Sequence, residues 1–133
     1  MIAQDTLFIL TVGILLAYII AIFGGAVFVW LGLKTLRYNP KTLNKAPEDF
    51  GVPKAGLVIG MLERTIILTL GLLNQYGAIA FVILAKTMAR FKQLEERYFA
   101  EYYLIGTLLS FVFALMVVLV FQTLYTVFSI GNP

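Results

Sequence analysis

Residues 57 to 85 read LVIGMLERTIILTLGLLNQYGAIAFVILA, an apolar run that carries Glu63 and Arg64 near one end and Asn74-Gln75-Tyr76-Gly77 at its centre. Whether this run is one helix or two decides the fold. As a single helix it would place its two flanks on opposite sides of a bilayer. One flank is Lys34 to Lys54, with Lys34, Arg37, Lys41, Lys45 and Lys54; the other is Lys86 to Arg97, with Lys86, Arg90, Lys92 and Arg97. Both are basic, and Lys and Arg collect on the cytoplasmic side. A tight outward turn at the polar cluster makes the run a hairpin and brings every one of these cations to the inner side. Each arm is then roughly 25 Å of helix, near the lower limit for a span.

Outside the hairpin lie two uncharged runs, Leu7 to Leu33 and Tyr102 to Ile130, each roughly 40 Å long as helix and longer than the roughly 30 Å hydrocarbon core. The preceding MIAQDT holds an acid and no Lys or Arg, so it lacks the basic n-region of a cleavable signal, and the first helix is expected to remain. The expected fold is therefore an all-α integral membrane protein. It is a single polytopic domain over residues 1–133, with four transmembrane helices, the middle two a short hairpin, and both termini outside. Trp30, Tyr38, Tyr98, Tyr102 and Tyr103 fall at the inner boundary, and Tyr76, Tyr125 and Phe128 near the outer one, as aromatic belts do. Tyr38 to Pro53, with Asn39-Pro40, Pro47 and Pro53, has no apolar period and reads as an irregular cytoplasmic connector.

Composition agrees. Of 133 residues, 61% are hydrophobic and 13% charged, about half the charge of a soluble domain. There is no Cys and no His, which excludes thiol chemistry, disulfides, metal or haem sites built on those ligands, and histidine proton relays. No metal and no cofactor is expected. The net charge of +3 belongs to cytoplasmic loops of a membrane protein, not to nucleic-acid binding.

In lipid, helices associate where small residues four apart let backbones approach. Gly13, Ala17, Ala21 and Gly25 form such a stripe on the first helix, Gly56 and Gly60 on the second, and Gly106, Ser110 and Ala114 on the last, with Gln122 and Thr126 continuing the line. These faces serve either packing within the chain or a homo-oligomer seam. An oligomer is expected, with the first or the last stripe meeting a neighbouring subunit.

The charges at membrane depth are costly, roughly 2.5 to 3.5 kcal/mol each at the bilayer centre, unless they pair, snorkel or line a wet cavity. Glu63 is expected to pair with Lys86 or Arg90, and its depth, about 9 Å from the inner edge, matches Arg90 better. Arg64, about 100° further round the helix, cannot share that neighbour and is expected at a subunit boundary. No Gly or Pro interrupts Ala78 to Ile105, and Lys86, Arg90, Gln93, Arg97 and Glu101 fall within about 80° of arc. This predicts that the third helix extends past the membrane as an amphipathic stalk. Its charged stripe is either a solvated face or, with Glu63 and Arg64, the lining of a polar vestibule open to the cytoplasm.

The strings GMLERT, NQYGAIAFVILAKTMARFKQL and AEYYLIGTLLS resemble the C-terminal membrane portion of an uncharacterised prokaryotic family, one of the domains of unknown function. The resemblance covers Gly56 to about Phe111. Longer members carry a further N-terminal membrane region with polar residues, His among them, that this chain lacks. The resemblance implies a bacterial or archaeal inner-membrane protein, points to Glu63, Arg64, Lys86, Arg90 and Glu101, and supplies no reaction.

Three classes of function compete. The first is a non-enzymatic oligomeric channel, transporter or membrane effector, with an ion, anion or lipid-headgroup site at Glu63, Arg64, Lys86, Arg90, Arg97 and Glu101. The second is a membrane anchor or scaffold recruiting a cytoplasmic protein partner or anionic lipid through the basic loop and stalk. An enzyme comes third: only Glu63 and Glu101 could serve as acid, base or nucleophile, and no Asp-rich or Ser-containing site motif joins them.

Overall fold

The computed structural model describes residues 2–36, 55–95 and 97–131, all helix and turn. The connector expected from Tyr38 to Pro53 lies outside the described residues. Helix α1 (Ile2–Ile19) passes through a single π-helical turn (Ile20–Gly24) into α2 (Gly25–Thr35) without leaving helical backbone angles, so the three form one rod. Helix α3 (Ala55–Leu72), α4 (Tyr76–Ala89) and α5 (Arg97–Gly131) follow, with a 3₁₀ turn at Phe91–Glu95 between the last two.

Two stretches, Gln4–Thr35 and Ala100–Gly131, are long and apolar enough to cross a bilayer. Their most apolar windows are only 11% and 17% buried, so their side chains point outward. A core helix of a water-soluble protein would hide them; here lipid is the fitting solvent.

The α3–α4 connection falls at the expected polar cluster, and its geometry explains why. The Asn74 and Gln75 N–H groups donate to the carbonyls of Gly71 and Leu70, at 3.0 and 2.8 Å, and Asn74 has φ 57°. This is a Schellman cap with Asn in the left-handed position, the non-glycine residue that tolerates it best. Gln122 of α5 reaches across to the turn, its Nε2 donating to Gly71 O (3.2 Å) and Asn74 Oδ1 (3.1 Å). The Gly71 carbonyl, already bonded within the cap, thereby accepts a second hydrogen bond from another helix.

The small-residue stripe of the rod is occupied inside the chain. Ala17, Ala21 and Gly25 are buried, and a methyl on Gly13 would meet Phe121 at 3.3 Å. Ala17 and Ala21 pack with Leu68 and Val118, while Ser110 and Ala114 of α5 are also buried, Ala114 beside Ile67 and Ile79. The stripe on the rod, and the Ser110 and Ala114 part of the stripe on α5, are thus filled by the chain's own helices. The reason is that α5 fits between the rod and α3, and both neighbours need it close. On the α3 side, Gly71 allows the approach: a methyl there would lie 2.7 Å from Val118.

The amphipathic stalk is not formed. Helix α4 stops at Ala89, and Tyr103 Oη donates to Lys86 O at 3.1 Å. In one continuous helix those residues would stand about 25 Å apart. The Arg90 N–H turns back to Thr87 O instead of Lys86 O, and the Tyr103 hydroxyl takes the carbonyl so released. Side-chain capping by a residue far along the chain reversed a helix that the local sequence does nothing to break. The contacts Glu63 to Lys86, Arg64 to Ser110 and Tyr103 to Lys86, with Tyr18 to Thr69 and Gly25 against Arg64 for the rod, fix four helices in up-down-up-down order, the rod and α4 running against α3 and α5.

Candidate functional site

At the end of the bundle where α2 and α4 finish and α3 and α5 begin, the helices splay around a cleft of about 470 Å³. Among the described residues this end carries the cations Lys34, Lys86, Arg90, Lys92 and Arg97 with the acids Glu63, Glu95 and Glu101, whereas Asp5 lies at the other. Trp30 and Lys34 stand beside it, with the ammonium 4.8 Å from the ring centroid. Glycines make the space. Gly56 and Gly106 line the cleft, and a methyl on either would meet nothing within 4 Å. They therefore do not pack helix on helix, as their spacing suggested; they leave the cleft open.

Glu63 of α3 is the acid in the cleft wall, and it is held by Lys86 Nζ at 2.5 Å, with side chains 13% and 20% exposed. The partner is Lys86 rather than Arg90 because the two arms run antiparallel from the turn at Asn74, and Glu63 and Lys86 stand about equally far from it. Arg90, just past the end of α4, lies with its guanidinium carbon 5.7 Å from the Tyr103 ring centroid; Lys86 Nζ is 5.3 Å from the same ring. Both distances suit cation–π attraction.

Arg64 does not sit at an outer boundary. It is 5% exposed, sealed between α3, α5 and the rod at Gly25, where a methyl would come within 2.5 Å of its Cδ. That close approach needs glycine, which explains the buried Gly25. Among the described residues Arg64 makes one hydrogen bond, from Nη1 to Ser110 Oγ at 3.3 Å, and its buried Nε has no partner. A buried guanidinium N–H left without an acceptor is an expensive arrangement in a low-dielectric interior. The end of the guanidinium lies toward Gly60, 3.7 Å from a methyl built there, and both Gly60 and Ser110 belong to the cleft wall.

Of the residues singled out in the sequence, the fold thus gathers Glu63, Lys86 and Arg90 in the cleft with Arg64 behind it. Arg97 and Glu101 are not brought in. They form an i,i+4 pair on the first turns of α5, Arg97 Nε to Glu101 Oε1 at 3.0 Å, with side chains 94% and 49% exposed. The reversal after Ala89 splits the stripe that a continuous helix would have kept whole. Sequence reasoning missed Tyr103 and Thr107 as site residues and read Ser110 only as a packing position. The signal was present: Tyr103, Thr107 and Ser110 repeat at i, i+4 and i+7 within an uncharged run, one polar line along α5. No group of His, Cys, Asp and Glu able to hold a metal occurs among the described residues.

Comparison of the chain with protein-family models, with curated proteins and with solved structures gave no match.

Proposed function

We propose that this is a small non-enzymatic protein of the prokaryotic inner membrane, crossing the bilayer four times with both termini outside. Its task is to hold an anionic group, an ion or a lipid headgroup, in the cleft at the cytoplasmic end. The observation that carries this reading is the cleft's composition: Lys86, Arg90 and, behind Ser110, Arg64 converge on one space whose lining, among the described residues, offers a single carboxylate, already held by Lys86. Unbalanced cations at membrane depth favour an anion that completes them. The basic end is assigned to the cytoplasm by the excess of Lys and Arg there.

Along the bundle axis the interior is packed, with Leu68, Ala114 and Val118 at 0% exposure, so the cleft is blind within one chain. A blind basic cleft suits retention of a ligand better than conduction. The exposed Lys92, Arg97 and Glu101 beside it favour a second role, in which the same end recruits a cytoplasmic protein partner.

The test is lipid enrichment. Protein in nanodiscs of mixed phosphatidylcholine and anionic phospholipid is expected to retain the anionic lipid preferentially through delipidation, read by native mass spectrometry. Arg90→Gln should lower that retention severalfold. Equal retention of neutral and anionic lipid by the unaltered chain would overturn the reading.

A further inference from the structure

We infer that the cleft is built for a dianionic phosphomonoester rather than for anions in general; this rests on the anion-site reading above. Uncompensated charges and unused donors around one space both point to it.

Glu63 and Lys86 cancel each other at 2.5 Å. Arg64 and Arg90 have no ion-pair partner among the described residues. Two positive charges are therefore left uncompensated at the cleft, one in its wall and one sealed behind Gly60 and Ser110. A phosphomonoester carries about 1.5 to 2 negative charges at neutral pH, a phosphodiester one. Only the monoester balances both cations.

The hydrogen-bond donors agree with the charges. Seven threonine hydroxyls of the described helices (Thr11, Thr35, Thr65, Thr69, Thr87, Thr123 and Thr126) donate to the carbonyl four residues back. Thr107, in the cleft wall, makes no hydrogen bond among the described residues and so keeps its proton for something else. Ser110 Oγ accepts from Arg64 and retains its own hydrogen. Lys86 spends one of three donors on Glu63, and Arg90 places its guanidinium in the same wall. The cleft thus offers hydroxyl, ammonium and guanidinium donors, and the one carboxylate that the described residues place in its wall is already engaged. Three terminal oxygens of a phosphomonoester use such a set more fully than the two of a diester, and charge-assisted bonds of this kind are the strong ones. The glycine floor at Gly56, Gly60 and Gly106 leaves the approach unobstructed.

The same chemistry can come from a lipid, as phosphatidic acid, or from a free phosphomonoester in the cytoplasm. The experiment places the unaltered chain in phosphatidylcholine nanodiscs doped with phosphatidic acid or, separately, phosphatidylglycerol, and measures retention of each. A third arm uses pure phosphatidylcholine with glycerol phosphate in solution. Phosphatidic acid is expected to be held about tenfold more tightly than phosphatidylglycerol, the worth of one further charge-assisted contact. Binding of glycerol phosphate in the third arm would assign the site to a soluble ligand, and binding of phosphatidic acid alone would assign it to the lipid; either supports the dianion. Gly106→Leu fills the cleft without changing its charge and is expected to abolish the preference while the protein keeps its melting temperature. Equal retention of the two anionic lipids would sink the dianion while leaving an anion site in place. Retention of neither, with no glycerol phosphate bound, would sink both readings, and a preference unchanged in Gly106→Leu would show that the cleft is not where the group sits.

Discussion

Replacing Lys86 with Met removes one half of an ion pair that is 2.5 Å long and whose side chains are 13% and 20% exposed. Breaking a buried pair from one side costs about 3 to 5 kcal/mol, because the remaining charge keeps its desolvation penalty and loses its compensation. Partial exposure screens some of this, which sets the expectation for Lys86→Met at about 3 kcal/mol. Glu63→Gln should cost less, about 1 to 2 kcal/mol, since Lys86 stands in the last turn of α4 and its long stem can carry the ammonium out to the interface. With both replaced, two neutral side chains of similar size remain, and the loss should fall to about 1 kcal/mol. The cycle then yields a coupling of about 3 to 4 kcal/mol. Equilibrium unfolding in mixed micelles, titrated with a denaturing detergent and followed by circular dichroism, measures all four proteins. Strict additivity, with the double change costing the sum of the two single ones, would refute the pairing and with it the account of how Glu63 is tolerated in the wall of the cleft.

Two further predictions test the packing and the topology. Gly71→Ala should destabilise the bundle by about 1 to 3 kcal/mol, because the new methyl meets the buried, β-branched Val118 at 2.7 Å, whereas Gly106→Ala, facing open space, should stabilise α5 by up to about 1 kcal/mol through helix propensity; like effects at the two sites would contradict the helix placement. A cysteine at Asn74 should react with an impermeant thiol reagent from the outer side and one at Lys92 only from the inner side, and the reverse pattern would invert the proposed orientation.

Much of the architecture was legible from order and composition alone. Long uncharged runs predict helices long and apolar enough to cross a bilayer, because an unbroken backbone hydrogen-bond ladder needs no water, and the structure has such helices at Gln4–Thr35 and Ala100–Gly131. The hairpin followed from the basic residues on both sides of residues 57 to 85, and the turn itself was local, since Asn74 can adopt the left-handed angle that a Schellman cap requires. Glu63 needed a cation in any fold that kept it at membrane depth, so the existence of an ion pair follows from its position in the chain.

Which cation it took, and where the chain turned next, were tertiary decisions. Nothing between Ala78 and Ile105 breaks a helix by itself, and the end of α4 depends on Tyr103, more than one helical turn into α5, capping Lys86 O. That reversal puts Lys86 level with Glu63, removes Arg97 and Glu101 from the site, and gathers Tyr103, Thr107 and Ser110 around the cleft. The small-residue stripes posed the same problem. Spacing marks a face on which backbones can come close, but not whether a neighbour is there: Ala17, Ala21 and Ala114 are buried against the chain's own helices, while Gly56 and Gly106, drawn from the same pattern, meet nothing and open a cleft. Local sequence sets which surfaces can approach; the packing of four helices at once settles which of them do, because each close contact fixes the depth and rotation available to the next.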